Sequence, residues 1–394
     1  MAELWTRRRF LQAAGGLLAA AAGLDGLDAT RASGPAPGSS ALPRPPLPFP
    51  APSPAARSPA GKWLLGKPVV AVVRASSYRP EEVRAAVAEA VELVGGLADV
   101  VRPGARVGIK VNLTQPQHPA ETGVTTSPAV VEALVQELYR AGAAEVWIVE
   151  GLFRPDAYRL CGFAEVAERT GARLLDSDRP DPPRKFLYVS TRSRLVYPAL
   201  AFHPAYVSFD VLVSAAKLKC HEVAGVTLSL KNLFGAVPLS LYRDRASFRN
   251  QLHEPAPWSR VPLVILDLNT AFPIHLSLID GIVGLERGAG TWNPAVRPVP
   301  SRVLILGKNA VAADAVGTAL MGFDPQAQYP RPPFVNGESH LQLAQAWGLG
   351  PLDLAEIQLR VGSGVQRFEQ LVVPYRPPAR DGRVPATFVP GLIS

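Results

Sequence analysis

The chain has 394 residues, enough for one large α/β domain or two moderate ones, and its hydrophobic content of 47% can supply a substantial core. The formal net charge is +8, but no basic run with interleaved aromatic residues accompanies it, so the composition does not support nucleic-acid binding. The two cysteines, Cys161 and Cys220, are too few for a four-cysteine iron–sulfur cluster or zinc site, although they suffice for one disulfide in an oxidising compartment.

The N-terminus resembles a twin-arginine export signal. Residues 6–12 read TRRRFLQ, with paired arginines before an aromatic residue and a leucine, and a mildly apolar stretch covers residues 13–24. That stretch is too short and too rich in Ala and Gly for a membrane-spanning helix. Residues 1–32 are therefore predicted to be a signal recognised by the twin-arginine export machinery, which would place the protein in the periplasm or another extracytoplasmic space. A signal retained as an N-terminal membrane tether and a cytoplasmic protein with a basic tail are the alternatives.

A proline-rich segment follows this signal. Residues 33–62 carry few charges and many prolines, a composition that favours an extended, semi-stiff linker over packed structure. We therefore expect one α/β domain over residues 63–370 and an irregular C-terminal tail over residues 371–394.

Strand and helix patterns alternate through the predicted domain. Strands are predicted over residues 68–74, 105–113, 145–151, 173–176, 209–219, 274–281 and 302–309. Helices are predicted over residues 80–94, 127–141, 162–170 and 310–321, with a short one within 225–235. Residues 184–205 read as an inserted hairpin, and residues 236–262 as a long, lid-like excursion. This alternation indicates an α/β fold with a largely parallel sheet and helices on both faces.

Polar residues follow several of the predicted strands. In an open α/β sheet, ligands bind outside the carboxyl ends of the strands. The residues at these ends are Lys110, Asn112, Glu150, Lys217, Lys219, His221, Asp280 and Lys308. Lys231 and Asn232, on the polar side of the short helix, complete the candidate ligand-binding set with Lys110, Asn112, Glu150, Lys217 and Lys219.

The lysines are few and unevenly placed. The chain has eight lysines against 33 arginines, yet Lys217, Lys219 and Lys231 lie within nineteen residues. A compact ammonium group suits a small pocket that the broad guanidinium fork does not fit. Two unit charges 4 Å apart repel by about 4 kcal/mol near a protein surface, so an anion or carboxylates should neutralise this cluster. The alternative is an exposed strand end with solvated lysines.

Five separated segments resemble the domain of unknown function 362 family. They read IKVNL, CGFAEVAERTG, LVSAAKLKCHEVAGVTLSLKNLFG, LSLIDGIVGLERGAG and NAVAADAVGTALMGFDP. The resemblance covers roughly residues 68–350 and implies an α/β fold without an assigned biochemical activity. Members of the family often occur together with iron–sulfur modules. This chain lacks a ferredoxin-like set of cysteines, so no intrinsic cluster is expected. The matching polar positions are Lys110, Asn112, Glu150, Cys161, Lys217, Lys219, His221, Lys231, Asn232, Asp280, Glu286 and Asp314.

Two functions fit these residues, and whether the protein is an enzyme stays open. In the first, an exported enzyme acts on a small anionic substrate, with lysines such as Lys219 stabilising negative charge and His221 as acid or base. Asp280 and Glu286 would then hold a divalent metal as cofactor. In the second, an extracytoplasmic module binds an anion, metal complex or cofactor without turnover. The other histidines read as structural, with His253 a partial exception because it lies on the excursion.

Overall fold

The computed structural model describes residues 66–180, 185–243, 250–253 and 260–380, and these ranges belong to one compact unit, residues 58–394. The predicted signal segment and proline-rich linker lie outside the described residues. Within the described part of the chain, no helix has both the length and the apolar character that a bilayer crossing needs.

A large mixed sheet forms the centre of the domain. Its main path runs in the order β12-β1-β11-β9-β7-β2-β3-β4, and the short strands β8 and β10 pair with β7 and β9. The strands, together with the separate pair β5 and β6, are β1 (Val69–Arg74), β2 (Arg106–Lys110), β3 (Glu145–Glu150), β4 (Arg173–Asp176), β5 (Leu187–Ser190), β6 (Ala199–Phe202), β7 (Val211–His221), β8 (Gly225–Val226), β9 (Leu276–Glu286), β10 (Arg297–Val299), β11 (Val303–Gly307) and β12 (Gln358–Val361).

Helices cover both faces of this sheet. They are α1 (Pro80–Leu93), α2 (Pro128–Arg140), α3 (Ala157–Leu160), α4 (Phe163–Thr170), α5 (Leu228–Asn232), α6 (Leu239–Tyr242), α7 (Arg260–Ala271), α8 (Ala310–Leu320) and α9 (His340–Ala346). One apolar core joins α1, α2 and α4 to the sheet, and a second joins α5, α7, α8 and α9 to its other face. The predicted fold class, a largely parallel α/β sheet with helices on both faces, is confirmed.

Strand β11 runs against the rest of the main sheet. It is antiparallel to both of its neighbours, β1 and β9, whereas the other pairs along the main path are parallel. The end of β11 therefore lies at the opposite edge from the ends of β2, β3 and β7. Lys308 follows β11 and pairs with Asp99 there, with 2.6 Å between Nζ and Oδ1. The expectation that Lys308 joins the other lysines was therefore wrong, because the sequence pattern gives strand positions but not directions.

The inserted hairpin is present, and the excursion is shorter than predicted. Strands β5 and β6 pair antiparallel, as expected for residues 184–205. Helix α7 begins at Arg260, inside the predicted excursion, and its Pro262 lies in the first turn. Proline is tolerated there because the first amide groups of a helix have no partner within the helix.

Asp314 holds the short helix α5 in place. This buried carboxylate on α8 accepts hydrogen bonds from the backbone amides of Ser229 (2.7 Å) and Leu230 (2.9 Å). Burial raises the pKa of Asp314 to about 7, and the two amide bonds oppose that rise. The contact fixes the first turn of α5 and, with it, Lys231 and Asn232 on the following turn. Asp314 therefore stabilises a neighbouring helix through its side chain.

We expect Asp314→Ala to lower the free energy of unfolding by roughly 2–4 kcal/mol, because two buried amides would lose their acceptor. Asp353→Ala is the matched control: Asp353 also accepts a backbone amide bond, from Ala355 at 2.9 Å, but in an exposed turn. The control should lose about 1 kcal/mol in the same denaturant titration. Equal losses in the two variants would contradict the role given to Asp314.

Candidate functional site at the carboxyl edge of the sheet

Three lysines lie almost fully buried at the carboxyl edge. The exposed fractions of Lys110, Lys217 and Lys219 are 1%, 0% and 1%. They sit at the end of β2 and near the end of β7, which are neighbouring parallel strands. The structure therefore brings these lysines to one edge, as the strand pattern indicated, but encloses them in the protein.

Lys217 forms a buried ion pair with Asp280. Its Nζ lies 2.8 Å from Asp280 Oδ2, and it also donates to the hydroxyl of Tyr78 (2.6 Å) and the carbonyl of Ala120 (3.2 Å). The Tyr78 hydroxyl donates to Asp280 Oδ1 at 3.0 Å, and the Ser127 amide donates to Oδ2 at 3.0 Å. Tyr78 was missed in the sequence because it follows a strand as a lone aromatic residue, a pattern more typical of core packing.

Lys110 has its own carboxylate partner. Its Nζ lies 2.7 Å from Glu150 Oε1, and Glu150 also accepts the backbone amides of Leu113 (3.0 Å) and Gly151 (3.0 Å). The chain passes directly over this pair at Gly235, where an added Cβ would collide with both side chains. Position 235 therefore requires glycine, because the backbone lies too close to Lys110 and Glu150 to leave room for a side chain.

Lys219 is surrounded by oxygen atoms without formal charge. Its Nζ donates to Asn112 Oδ1 (2.9 Å) and to the carbonyls of Val124 (3.0 Å) and Ala289 (3.0 Å). Burial lowers the pKa of Lys219 to about 7, while the nearby Glu222 carboxylate opposes this shift. Three acceptors match the three N–H donors of an ammonium group, so the hydrogen bonds favour the charged form.

The two asparagines link the sites of Lys110 and Lys219. Asn112 Nδ2 donates to Asn232 Oδ1 at 3.1 Å, and Asn232 Nδ2 donates to the carbonyl of Lys110 at 2.9 Å. Asn232 also lies 3.1 Å from the hydroxyl of Ser214, between its Nδ2 and Oγ. Lys110, Asn112, Glu150, Lys219 and Asn232 thus form one connected set of buried polar contacts, and Lys217, Asp280 and Tyr78 form a second; we call the two sets together the lysine network.

The glycine-rich loop at residues 284–294 serves this network. The carbonyl of Ala289 accepts from Lys219, and its amide points at Glu222, with 3.3 Å to each carboxylate oxygen. The loop therefore offers a carbonyl to a cation and directs this amide to an internal carboxylate. The negative charge expected near the lysines is supplied in part by the chain itself, through Asp280 and Glu150.

Asp280 and Glu286, the predicted metal ligands, have separate partners. Asp280 is engaged with Lys217, whereas Glu286 Oε2 accepts the backbone amide of Arg376 at 2.7 Å and its Oε1 lies 3.4 Å from Arg287 Nε. In the described ranges, no group of three or more His, Cys, Asp or Glu side chains is arranged to hold a metal ion. A divalent metal at Asp280 and Glu286 stays a prediction.

Both cysteines are free thiols, so the disulfide allowed by the sequence is absent. Cys220 is fully buried, and Cys161 Sγ donates to the carbonyl of Pro116 at 3.2 Å. Burial raises the pKa of Cys161 to about 12 and that of Cys220 further above its usual value. Neither thiol therefore resembles an activated nucleophile.

A second group of basic side chains lies beyond the lysine network. We call this group the basic cluster. Its members are His221 at the end of β7, Lys231 on α5, His253 directly after the short turn Asn250–Leu252, and His340 at the start of α9. Lys231 Nζ lies 3.9 Å from the centroid of the Phe234 ring, which His253 contacts edge-on at 5.1 Å between centroids.

Each member of the basic cluster disfavours a positive charge on the other members. Burial, followed by the charge of Lys231, lowers the pKa of His221 well below its usual value and that of His340 to about 3. His340 is fully buried, and neither of its ring nitrogens has a hydrogen-bond partner in the part of the chain that the structure describes. A contact with the backbone of Ala224, which does not have the geometry of a regular hydrogen bond, partly offsets the shift.

The sequence identified part of the basic cluster. His221 and Lys231 were predicted site residues, and His253 was singled out because of its place on the excursion. His340 was interpreted as structural, together with the other histidines outside the predicted site. No local pattern relates residue 340 to residue 221, so only the packing of α9 could bring them together.

A model described as "Domain of unknown function (DUF362)" matches residues 107–319, more than half of the chain. The chain belongs to this family. The resemblance expected from the five segments is thereby confirmed. The matched residues include most of the lysine network, whereas Tyr78 and His340 lie outside the match.

Two further comparisons found similar proteins. The chain is 27% identical over 259 residues to the thylakoid-associated protein sll1697 of Synechocystis, covering 65% of this chain and 75% of that protein. Among solved structures, the lactate racemase apoprotein from Thermoanaerobacterium thermosaccharolyticum is similar with a TM-score of 0.31 and 15% identity. That similarity covers 53% of this chain and 49% of the racemase chain, so the match spans about half the length of that structure.

We expect Lys217→Met to lower the free energy of unfolding by about 3–5 kcal/mol, because Asp280 would stay buried without its cationic partner. The matched control is Lys308→Met, which removes the more exposed ion pair with Asp99 and should change stability by about 1 kcal/mol or less. Denaturant titration of both variants measures the difference. Similar values for the two would show that the buried pair is not a structural requirement.

Proposed function

We propose that the protein binds a small anionic ligand at the basic cluster. The observation that carries this proposal is the buried imidazole of His340, which has no hydrogen-bond partner among the described residues although it lies near Lys231. Buried polar side chains in native proteins are nearly always hydrogen-bonded. An anionic oxygen between these side chains would provide an acceptor and reduce the repulsion among them.

The lysine network supports such a site as a rigid frame. Lys219 holds β7 next to the loops at Asn112, Val124 and Ala289, and His221 lies two residues beyond it on the same strand. Asn232, next to Lys231 in the chain, is bonded to the backbone of Lys110. Binding groups supported by packed and hydrogen-bonded neighbours lose little entropy when a ligand arrives.

The surroundings of the cluster also suit a small ligand. Phe234 lies against Lys231, and the Phe334 ring lies 6.0 Å from that of His340, between centroids. Apolar walls of this kind strengthen electrostatic attraction by excluding water. His253, in the part of the predicted excursion that the structure describes, lies against the same Phe234 ring.

The geometry favours binding over metal-assisted catalysis as the function. The predicted catalytic residue Lys219 is fully engaged by three acceptors, and Asp280 is paired with Lys217. We therefore propose that Lys231 and the histidines contact the ligand, whereas the sequence had suggested the buried lysines for this role. The lysine network supports the residues that contact the ligand.

We expect an anion from a panel of inorganic phosphate, acetate and citrate to bind the purified protein with measurable heat in calorimetry. Lys231→Met should weaken that binding at least about tenfold, which is 1.4 kcal/mol. His340→Leu should weaken it as well, whereas Lys308→Met at the opposite edge should leave it unchanged. An anion that binds equally to all four proteins would contradict this site, as would the absence of binding by every anion of the panel.

We also propose that the protein is exported by the twin-arginine route. The support is the TRRRFLQ segment, and the related Synechocystis protein is described as thylakoid-associated, which agrees with a location at or beyond a membrane.

In cells that have the twin-arginine machinery, we expect the full chain to leave the cytoplasm. The double variant Arg7→Lys/Arg8→Lys should stay in the cytoplasmic fraction, because the paired arginines are the recognition element. Arg31→Lys, a change outside the motif, is the control and should be exported normally. Export of the double variant at the normal level would argue against this route.

A further inference from the structure

The basic cluster contains a histidine whose proton position is set by the backbone. Nδ1 of His221 accepts hydrogen bonds from two successive amides, those of Val223 and Ala224, each at 3.1 Å. Both of these residues are buried, so neither amide has ready access to water. A ring nitrogen that receives two N–H groups must present its lone pair to them.

We infer that His221 acts as a neutral hydrogen-bond donor through Nε2, so that the ligand of the basic cluster offers it an acceptor oxygen of a carboxylate or phosphate group. This inference rests on the proposed function, since it specifies how the same site recognises its ligand. It replaces the acid or base role that the sequence suggested for His221 with a role in binding and orienting an oxyanion.

The tautomer follows from the hydrogen-bond count. A neutral imidazole carries one N–H, and because Nδ1 is an acceptor here, that N–H belongs to Nε2. A proton on Nδ1 would point toward the N–H groups of Val223 and Ala224 and repel them. Both amides would also lose their hydrogen-bond acceptor. The turn after β7 therefore opposes both the other tautomer and the doubly protonated ring.

The charges around His221 act in the same direction. Lys219 lies on its own strand, Lys231 on α5, His253 in the turn of the excursion and His340 on α9, and each disfavours a positive ring. Glu222, the adjacent carboxylate, is turned toward the amide of Ala289 and the side chain of Asn293. The pKa of His221 is accordingly held well below its usual value, chiefly by burial.

This arrangement selects one kind of ligand. A metal ion needs a lone pair on the ring, but the lone pair at Nδ1 is occupied and Nε2 carries the proton. A cation would also meet the ammonium group of Lys231. An oxyanion instead accepts from Nε2–H while Lys231 balances its charge, and a neutral donor loses no strength as the pH changes around neutrality.

The proton position is measured directly by long-range proton–nitrogen correlation spectra of protein labelled with nitrogen-15 in histidine, with His221 assigned by the signals that His221→Gln removes. We expect an unprotonated Nδ1 and a protonated Nε2 from about pH 5 to 8. A protonated Nδ1 within this range, as either the other tautomer or the charged ring, would overturn the inference.

Ligand selectivity is tested on the same sample with inorganic phosphate, citrate and zinc as separate probes. An oxyanion should shift the Nε2–H signal of His221, and His221→Leu should weaken its binding at least about tenfold, whereas His221→Gln, which keeps a donor, should lose less. Zinc should leave these signals unchanged. An oxyanion affinity that His221→Leu leaves unchanged, or zinc bound at Nε2, would overturn the inference.

The two proposals fail in different ways. If the Nε2–H tautomer is observed but no oxyanion binds, both the proposed function and the selectivity inferred from it are wrong, and the tautomer is a structural feature of the turn. If an oxyanion binds in a manner that depends on Lys231 while Nδ1 carries the proton, the proposed function stands and the role of His221 is wrong.

Discussion

The burial of three ammonium groups at the carboxyl edge of the sheet is the constraint on which the surrounding loops depend. Lys110, Lys217 and Lys219 are removed from water, so each needs several oxygen acceptors within the protein. The acceptors come from distant parts of the chain, including Ala120, Val124 and Ala289. These loops have little regular structure of their own, and their shared attachment to the lysines gives the edge a defined shape.

The choice of lysine over arginine at these positions follows from geometry. An ammonium group directs three donors from a single atom, which suits a small pocket such as the three oxygens around Lys219. A guanidinium group is planar and longer, and it would not fit without moving the loops. In a chain with 33 arginines and eight lysines, the lysines at this edge are therefore explained by packing and hydrogen bonding inside the protein.

Lysine has two proposed roles at this edge. Lys217 and Lys110 each have an internal carboxylate, so their charges require no ligand. Lys231 lies against an aromatic ring, and burial together with its charge lowers the pKa values of His221 and His340. The lysine network thus supports the strand and helix that carry the basic cluster, which we propose as the site for an external anion.

The sequence by itself determined the fold class, the approximate positions of most main strands and helices, and the gathering of Lys110, Lys217 and Lys219 at one edge. These features depend on local hydrophobic periodicity and on the rule that parallel strands end together. The tertiary structure decided the reversed direction of β11, the internal partners of the lysines, and the approach of His340 to Lys231. Those features depend on contacts between residues far apart in the chain, for which no local pattern exists, because side-chain burial and partner choice are fixed only when the helices and loops pack.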